Sequence, residues 1–177
     1  MPDGKYLLFQ NAEWDYRSFD FDRDVKIADD AAAQRLNAID PSLKNFKRRG
    51  RKLILFHGWS DAILAPVGTI DYYESVGAKM GRKDAESFTR LYMVPGMQHC
   101  FGGPGPNNFG NAMTAALQHW VEQGSAPDKI VATKYKTDGD PSSGVARTRP
   151  LCPYPQVARY QGSGSIDDAA NFACRMP

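Results

Sequence analysis

The chain has 177 residues, enough for one domain with a real core, and its 22 basic and 20 acidic side chains leave a formal net charge of +2. A balance so close to neutral argues against a nucleic-acid or membrane-surface partner. No apolar run approaches the roughly 18 residues that span a bilayer, and the N-terminal Met1-Pro2-Asp3-Gly4-Lys5 lacks the hydrophobic region of a signal peptide.

Lys5 to Phe9 reads as a short strand, and the aromatic and acidic stretch from Asp15 to Asp24 as an irregular lead-in. Residues 22–38 read as a helix, because Val25, Ala28, Ala32, Leu36 and Ile39 recur at spacings of three or four. Asp40-Pro41 ends it. A short turn or helix from Ser42 to Phe46 leads into the basic cluster Lys44, Lys47-Arg48-Arg49 and Arg51-Lys52. Without interleaved aromatics, that cluster reads as a solvated loop.

Lys52 to His57 is a buried strand by length and β-branching, followed by a turn from Gly58 to Leu64. Pro66 to Met80 reads as a helix with Pro66 in its first turn, Ile70, Tyr73 and Gly77 on one face, and Gly81 as its stop. Phe88 to Val94 is the next strand, and Pro95 to Asn108 a glycine- and proline-rich loop. Asn111 to Gln123 is a helix carrying Met113, Ala116, Leu117, Trp120 and Val121, closed by Gly124. Ile130 to Tyr135 is a last strand, and turn residues dominate from Asp138 on.

Strands that alternate with helices argue for an α/β fold with a mostly parallel sheet. Three good strands are too few to cover both faces of such a sheet, so the pattern reads as the last portion of a larger doubly wound one. Residues 1–177 are expected to form a single domain, with a core at about 19–136 and a tail at about 137–177.

Two turns carry the chemistry. Asp61 follows Gly58-Trp59-Ser60 after one strand, and His99 follows Pro95-Gly96-Met97-Gln98 after the next. A carboxylate on such a turn can hold a histidine tautomer and stabilise its protonated form; it can equally just order its own turn. His99 could be a general base or a plain loop histidine. The 38 positions between them fit one helix and one strand, which brings the two turns to neighbouring strand ends. His57 is expected to make structural hydrogen bonds in the turn, and His119 to sit on a helix surface beside Trp120. Neither has metal-ligand company.

A nucleophile is harder to find. No Gly-x-Ser-x-Gly elbow occurs, and Ser60 adjoins Asp61, so their side chains diverge. Cys100 adjoins His99, a poor geometry for activation. The three cysteines, Cys100, Cys152 and Cys174, leave an odd thiol.

Several strings resemble the tannase and feruloyl esterase family: Lys52-Leu53-Ile54-Leu55-Phe56-His57-Gly58-Trp59-Ser60-Asp61, Gly68-Thr69-Ile70-Asp71-Tyr72-Tyr73-Glu74, Met93-Val94-Pro95-Gly96-Met97-Gln98-His99-Cys100, Gly102-Gly103-Pro104-Gly105-Pro106, and Arg149-Pro150-Leu151-Cys152-Pro153-Tyr154-Pro155. The likeness runs from about Phe19 to Cys174. It implies an α/β-hydrolase with a large lid, secreted or periplasmic, cleaving esters of phenolic acids. By motif position Asp61 is then the triad acid and His99 the base. Cys100 matches a cysteine that bridges to the residue before the nucleophilic serine, and Cys152 pairs with Cys174. The serine elbow, the oxyanion-hole segment, the lid and its calcium site would all precede residue 1.

The chain is therefore expected to be the C-terminal part of a serine carboxylesterase, inactive alone, with Cys100 a free thiol. No cofactor is expected within it. Its partners would be a phenolic ester in the complete enzyme and the missing N-terminal part or partner chain. Uncovered apolar surface is expected to favour self-association. The alternatives are a non-catalytic fold remnant or binding module, and one subunit of a processed esterase.

Overall fold

The computed structural model describes residues 4–33 and 37–177. The chain divides into two compact units, residues 1–40 and 41–177.

The first unit is held by aromatics. Phe9 stacks on Trp14 with ring centroids 4.7 Å apart, Trp14 meets Phe19 edge-on at 6.5 Å, and Phe19 meets Phe21 at 5.1 Å. The run expected as a strand is instead a wide helical turn, Gly4–Leu8, in which the Phe9 N–H donates to the Gly4 carbonyl. The described residues offer it no partner strand, and a strand without one leaves its backbone groups unpaired. Helix α1 (Phe21–Ala28) starts at the Asp20 cap, whose carboxylate accepts from the Asp22 and Arg23 amides. It ends well short of the expected residue 38 and passes into a wide turn, Asp29–Ala33. Two acids, Asp29 and Asp30, sit at the negative end of the helix dipole, where they oppose its extension. Residues 37–40 are not helical. Leu36 and the Ala32 side chain, part of the expected apolar face, lie outside the described residues.

The second unit starts with α2 (Lys44–Arg48) and then a βαβ unit: β1 (Leu53–Gly58), α3 (Pro66–Met80) and β2 (Thr89–Val94). A short helix, α4 (Arg82–Glu86), lies between α3 and β2 and was not expected. Gly81 separates the two helices at φ +88°, a left-handed backbone that glycine adopts freely. Strands β1 and β2 pair in parallel from Leu53 against Thr89 to Gly58 against Val94.

Both faces of β2 are buried, as a strand between packed layers requires. Tyr92 and Val94 point into a cluster with Met97, Phe109, Met113, Ile130 and Leu151, joined by Ile54. Leu91 and Met93 point the other way, to Tyr73, Ile70, Leu55 and Tyr154. The free side of β2 is taken by the tail: Tyr92 bridges Pro153, and the Tyr154 N–H donates to the Leu91 carbonyl. Among the described residues, β1 pairs with nothing on its other side.

Helix α5 (Gly110–Gln123) buries Met113 and Trp120 and closes at Gly124 with a left-handed residue, while Val121 stays exposed. The sheet differs most from expectation. Among the described residues only β1 and β2 pair in parallel. β3 (Ile130–Tyr135) pairs antiparallel with β4 (Val145–Leu151), and β5 (Val157–Tyr160) with β6 (Phe172–Arg175). The segment from residue 137 on is thus strand-bearing, and its Leu151 belongs to the core. Those strands escaped notice because β4 carries Arg147, Arg149 and Pro150, and β5 and β6 are four residues each, too short for a periodic signal.

Candidate active site

The turn after β1 and the turn after β2 are stitched together by their backbones. The Trp59 N–H donates to the Val94 carbonyl at 2.9 Å, and the Ser60 N–H to the Met97 carbonyl at 3.0 Å. This contact fixes the residue at 58, since a Cβ there would lie 2.2 Å from the Met97 oxygen. The loop then folds back on itself. Gly105 lies so close to Pro95 that a Cβ would meet its carbonyl oxygen at 1.9 Å. Lys134 on β3 holds the loop from outside through the Gly103 carbonyl, at 2.7 Å. Two strand ends and one folded-back loop therefore place residues 61 and 99.

Those two residues meet. His99 Nδ1 stands 2.9 Å from Asp61 Oδ2. The Asp61 side chain is 3% exposed, that of His99 39%, so a buried carboxylate holds a half-open imidazole. The other Asp61 oxygen, Oδ1, accepts the Ile63 N–H at 2.8 Å and the Leu64 N–H at 3.0 Å. Burial alone would raise the Asp61 pKa. The Leu64 amide, the His99 ring and the Ile63 amide outweigh it and hold the carboxyl well below the usual range. The group is therefore ionised at neutral pH, and His99 donates to it from Nδ1. His99 Nε2 makes no hydrogen bond among the described residues.

A third residue joins them. His57, expected only to steady its turn, places Nε2 3.1 Å from Asp61 Oδ2, the oxygen His99 uses. Its Nε2 also lies 3.3 Å from the Leu64 carbonyl. His57 Nδ1 is 2.6 Å from Thr69 Oγ1 in the first turns of α3. With the Thr69 hydroxyl donating to Nδ1, the Nε2–H is left to donate to the carboxylate. The signal lay in the spacing: His57 is the last side chain of β1, four residues before Asp61, and Pro66 starts a helix that presents Thr69. Sequence reasoning missed Thr69 altogether.

The remaining candidates fall elsewhere. Ser60 is exposed, and its hydroxyl makes no hydrogen bond among the described residues. His119 lies on the exposed surface of α5. Cys100 is an exposed free thiol on a left-handed backbone, φ +63°. Cys152 and Cys174 form a disulfide with Cα atoms 5.5 Å apart, closing the tail over β5 and β6. Among the described residues no three His, Cys, Asp or Glu side chains gather as metal ligands. No helix among them is long and apolar enough to cross a membrane.

The surface by the pair is apolar. Trp59, Ile63, Leu64 and Phe101, on the two turns, are all exposed. A hollow of about 270 Å³ is walled by Trp59, Met93, Pro95 and Tyr154. A larger one, of about 470 Å³, lies between the 95–106 loop and the tail. Neither is lined by Asp61 or His99.

Comparison with known proteins converges on one group. The family model described as tannase and feruloyl esterase matches residues 3–175. A mono(2-hydroxyethyl) terephthalate hydrolase of Piscinibacter sakaiensis is 53% identical over 142 residues, which are 79% of this chain and 22% of that protein. A probable feruloyl esterase B-2 of Aspergillus flavus is 35% identical over 165 residues, 84% of this chain and 31% of that one. The crystal structure of an esterase from Aspergillus oryzae superposes with a TM-score of 0.82 at 27% identity, covering 98% of this chain and 36% of that one. The chain thus spans about a fifth to a third of the length of the curated relatives it matches.

Proposed function

The chain belongs to the tannase and feruloyl esterase family, and from that premise we propose that it is the acid–base part of a serine carboxylesterase acting on esters of aromatic, phenolic acids. The observation that carries this reading is the 2.9 Å contact between His99 Nδ1 and a buried, ionised Asp61, with Nε2 left unengaged. That is the arrangement a hydroxyl nucleophile needs from its base.

In the complete enzyme a serine from outside this chain donates its hydroxyl proton to His99 Nε2 as its oxygen attacks the ester carbonyl carbon. The tetrahedral adduct collapses, the bond to the alcohol oxygen breaks, and His99 returns the proton to that oxygen. A water then gives a proton to Nε2 and attacks the acyl-enzyme. The acid leaves and the serine recovers its hydrogen. Throughout, Asp61 holds the ring in one tautomer and stabilises its positive form. The unpaired side of β1 fits a neighbouring strand of a larger, doubly wound sheet. The exposed Trp59, Ile63, Leu64 and Phe101 fit a lid or an aromatic acyl group. Secretion, as a cysteine-bridged enzyme, belongs to the same reading.

Purified alone, the chain should not turn over p-nitrophenyl or gallate esters. Rapid turnover blocked by a serine-directed phosphonate would overturn the proposal and return Ser60 to the candidates for nucleophile. The exposed Cys100 thiol favours one variant of it, a processed enzyme whose serine-bearing chain is joined through Cys100. Electrophoresis of natively produced protein distinguishes the two. A larger band that collapses on reduction indicates the joined form; a lone 19.6 kDa band excludes it.

A further inference from the structure

The larger hollow, of about 470 Å³, has a wall chemistry that the acid–base pair does not use. Its size falls within the roughly 300–1,000 Å³ usual for small-molecule sites. One side is built from prolines of the folded-back loop, Pro95, Pro104 and Pro106. The other carries Arg147 and Arg149 of β4, with Phe172 of β6. The two arginines stand two residues apart on one strand, and so on one face of it.

Their charges are poorly met. The nearest carboxylate, Asp167, is 3.8 Å from Arg147 Nε, with both side chains about half exposed. Such a pair contributes little. Arg149 makes no ion pair among the described residues. Its guanidinium lies over the Phe172 ring at 4.1 Å from the centroid, and one nitrogen donates to the Thr148 carbonyl at 2.9 Å. Stacking fixes the plane of the fork and leaves its other N–H groups free to donate. Burial lowers the Arg149 pKa from its ordinary value, with the neighbouring Arg147 charge adding to the shift and the Asp167 charge only partly opposing it.

A stacked guanidinium with free donors recognises a planar anion in bidentate fashion, and proline and phenylalanine walls take a flat apolar body. The geometry points to a binding site for an aryl carboxylate in this hollow, with Arg149 as the anchor, Arg147 as a second cation, and the proline walls around the ring. The site is separate from Asp61 and His99, and the inference does not depend on the ester-hydrolase reading. A chain without any esterase role would still bind the anion.

The test is titration of the chain with benzoate, benzamide and acetate, followed by calorimetry and by NMR shifts of backbone amides. Benzoate should bind with a Kd on the order of 1 mM or tighter. Neutral benzamide, and acetate with no ring, should each bind at least about 10-fold more weakly. Arg149→Gln should weaken benzoate by about 10- to 100-fold, the value of a lost charge-assisted hydrogen bond. Phe172→Leu, which removes the stack but keeps an apolar wall, should weaken it less, and Arg48→Gln on α2 should change nothing. Unchanged thermal midpoints would show that the variants are folded; if Arg149→Gln unfolds the chain, Phe172→Leu and the benzamide comparison decide. Equal binding of benzoate and benzamide, benzoate affinity untouched in a folded Arg149→Gln variant, or no binding of benzoate at tens of millimolar would each overturn the proposal.

Discussion

His57 and His99 share one oxygen. His57 Nε2 stands 3.1 Å, and His99 Nδ1 2.9 Å, from Asp61 Oδ2, while the other oxygen is filled by the Ile63 and Leu64 amides. The carboxylate is thus held from four directions by groups that all donate. A carboxylate so held cannot rotate to follow His99, so the imidazole must come to it.

Replacing the acid should disturb both function and tautomer. Asp61→Asn presents an amide where His99 expects an anion. On the proposed function, ester hydrolysis by the complete enzyme should fall about 10⁴-fold, as the equivalent change does in a serine protease. Steady-state kinetics on a gallate or ferulate ester checks it; a loss below about 10-fold would remove Asp61 from the mechanism.

The same carboxylate should set an acid limit to stability. Its pKa is lower in the folded chain than in the unfolded one, where an aspartate titrates at about 3.9. Its contribution is therefore complete above that value and is lost as pH falls through the lower folded-state pKa. The stability gap between the parent chain and Asp61→Asn should be full at pH 7 and narrow steadily below about pH 4. Urea denaturation midpoints at pH 7 and pH 3 measure it, and a gap that widens in acid would reverse the assignment.

His57→Phe removes one donor and strands the Thr69 hydroxyl. Loss of one partner of a buried polar group costs about 1–3 kcal/mol of stability. The fall in hydrolysis by the complete enzyme should be smaller than for Asp61→Asn, since the His99 bond stays. Equilibrium unfolding and kcat, measured on the same preparation, test both halves.

Gly58→Ala should act through the backbone. The added methyl lies 2.2 Å from the Met97 oxygen, in a contact between two main chains that cannot step aside cheaply. A destabilisation of about 1–3 kcal/mol is expected, together with a shift of the His99 ring resonances, because the two turns are pushed apart. A silent variant would mean the turns are looser than the contact implies.

Thiol counting under denaturing, non-reducing conditions should find one reactive group per chain, Cys100, with Cys152 and Cys174 joined. Reduction, or the double variant Cys152→Ser and Cys174→Ser, should cost about 3 kcal/mol of stability, the entropy of releasing a loop of that length. Three thiols would contradict the bridge.

The sequence was most legible where local signals agreed. Pro66 and Gly81 bracket α3 as expected, and Ile130–Tyr135 is a strand from its β-branched run. Asp61 and His99 could be placed at adjacent strand ends because α3 and β2 fall between them, and the short α4, which the spacing does not announce, leaves that connection unchanged. Legibility failed where partners decide. Lys5 to Phe9 has strand-like residues but no described strand to pair with. Arg147 and Arg149 hide a strand because their side chains line a hollow and not a core. The role of His57 was invisible because it depends on Thr69, a hydroxyl twelve positions away that only the packing of α3 brings within reach.

The interlock of Gly58 with Met97 and of Gly105 with Pro95 has a wider consequence. The backbone contacts that join the two turns, Trp59 to Val94 and Ser60 to Met97, are made within residues 58–105. Such a stretch is preassembled, so a counterpart carrying the attacking hydroxyl would need only to dock, with no induced rearrangement on this side. On the proposed function, mixing this chain with a serine-bearing half should restore turnover that neither shows alone, which makes split-protein reconstitution an engineering route for this scaffold.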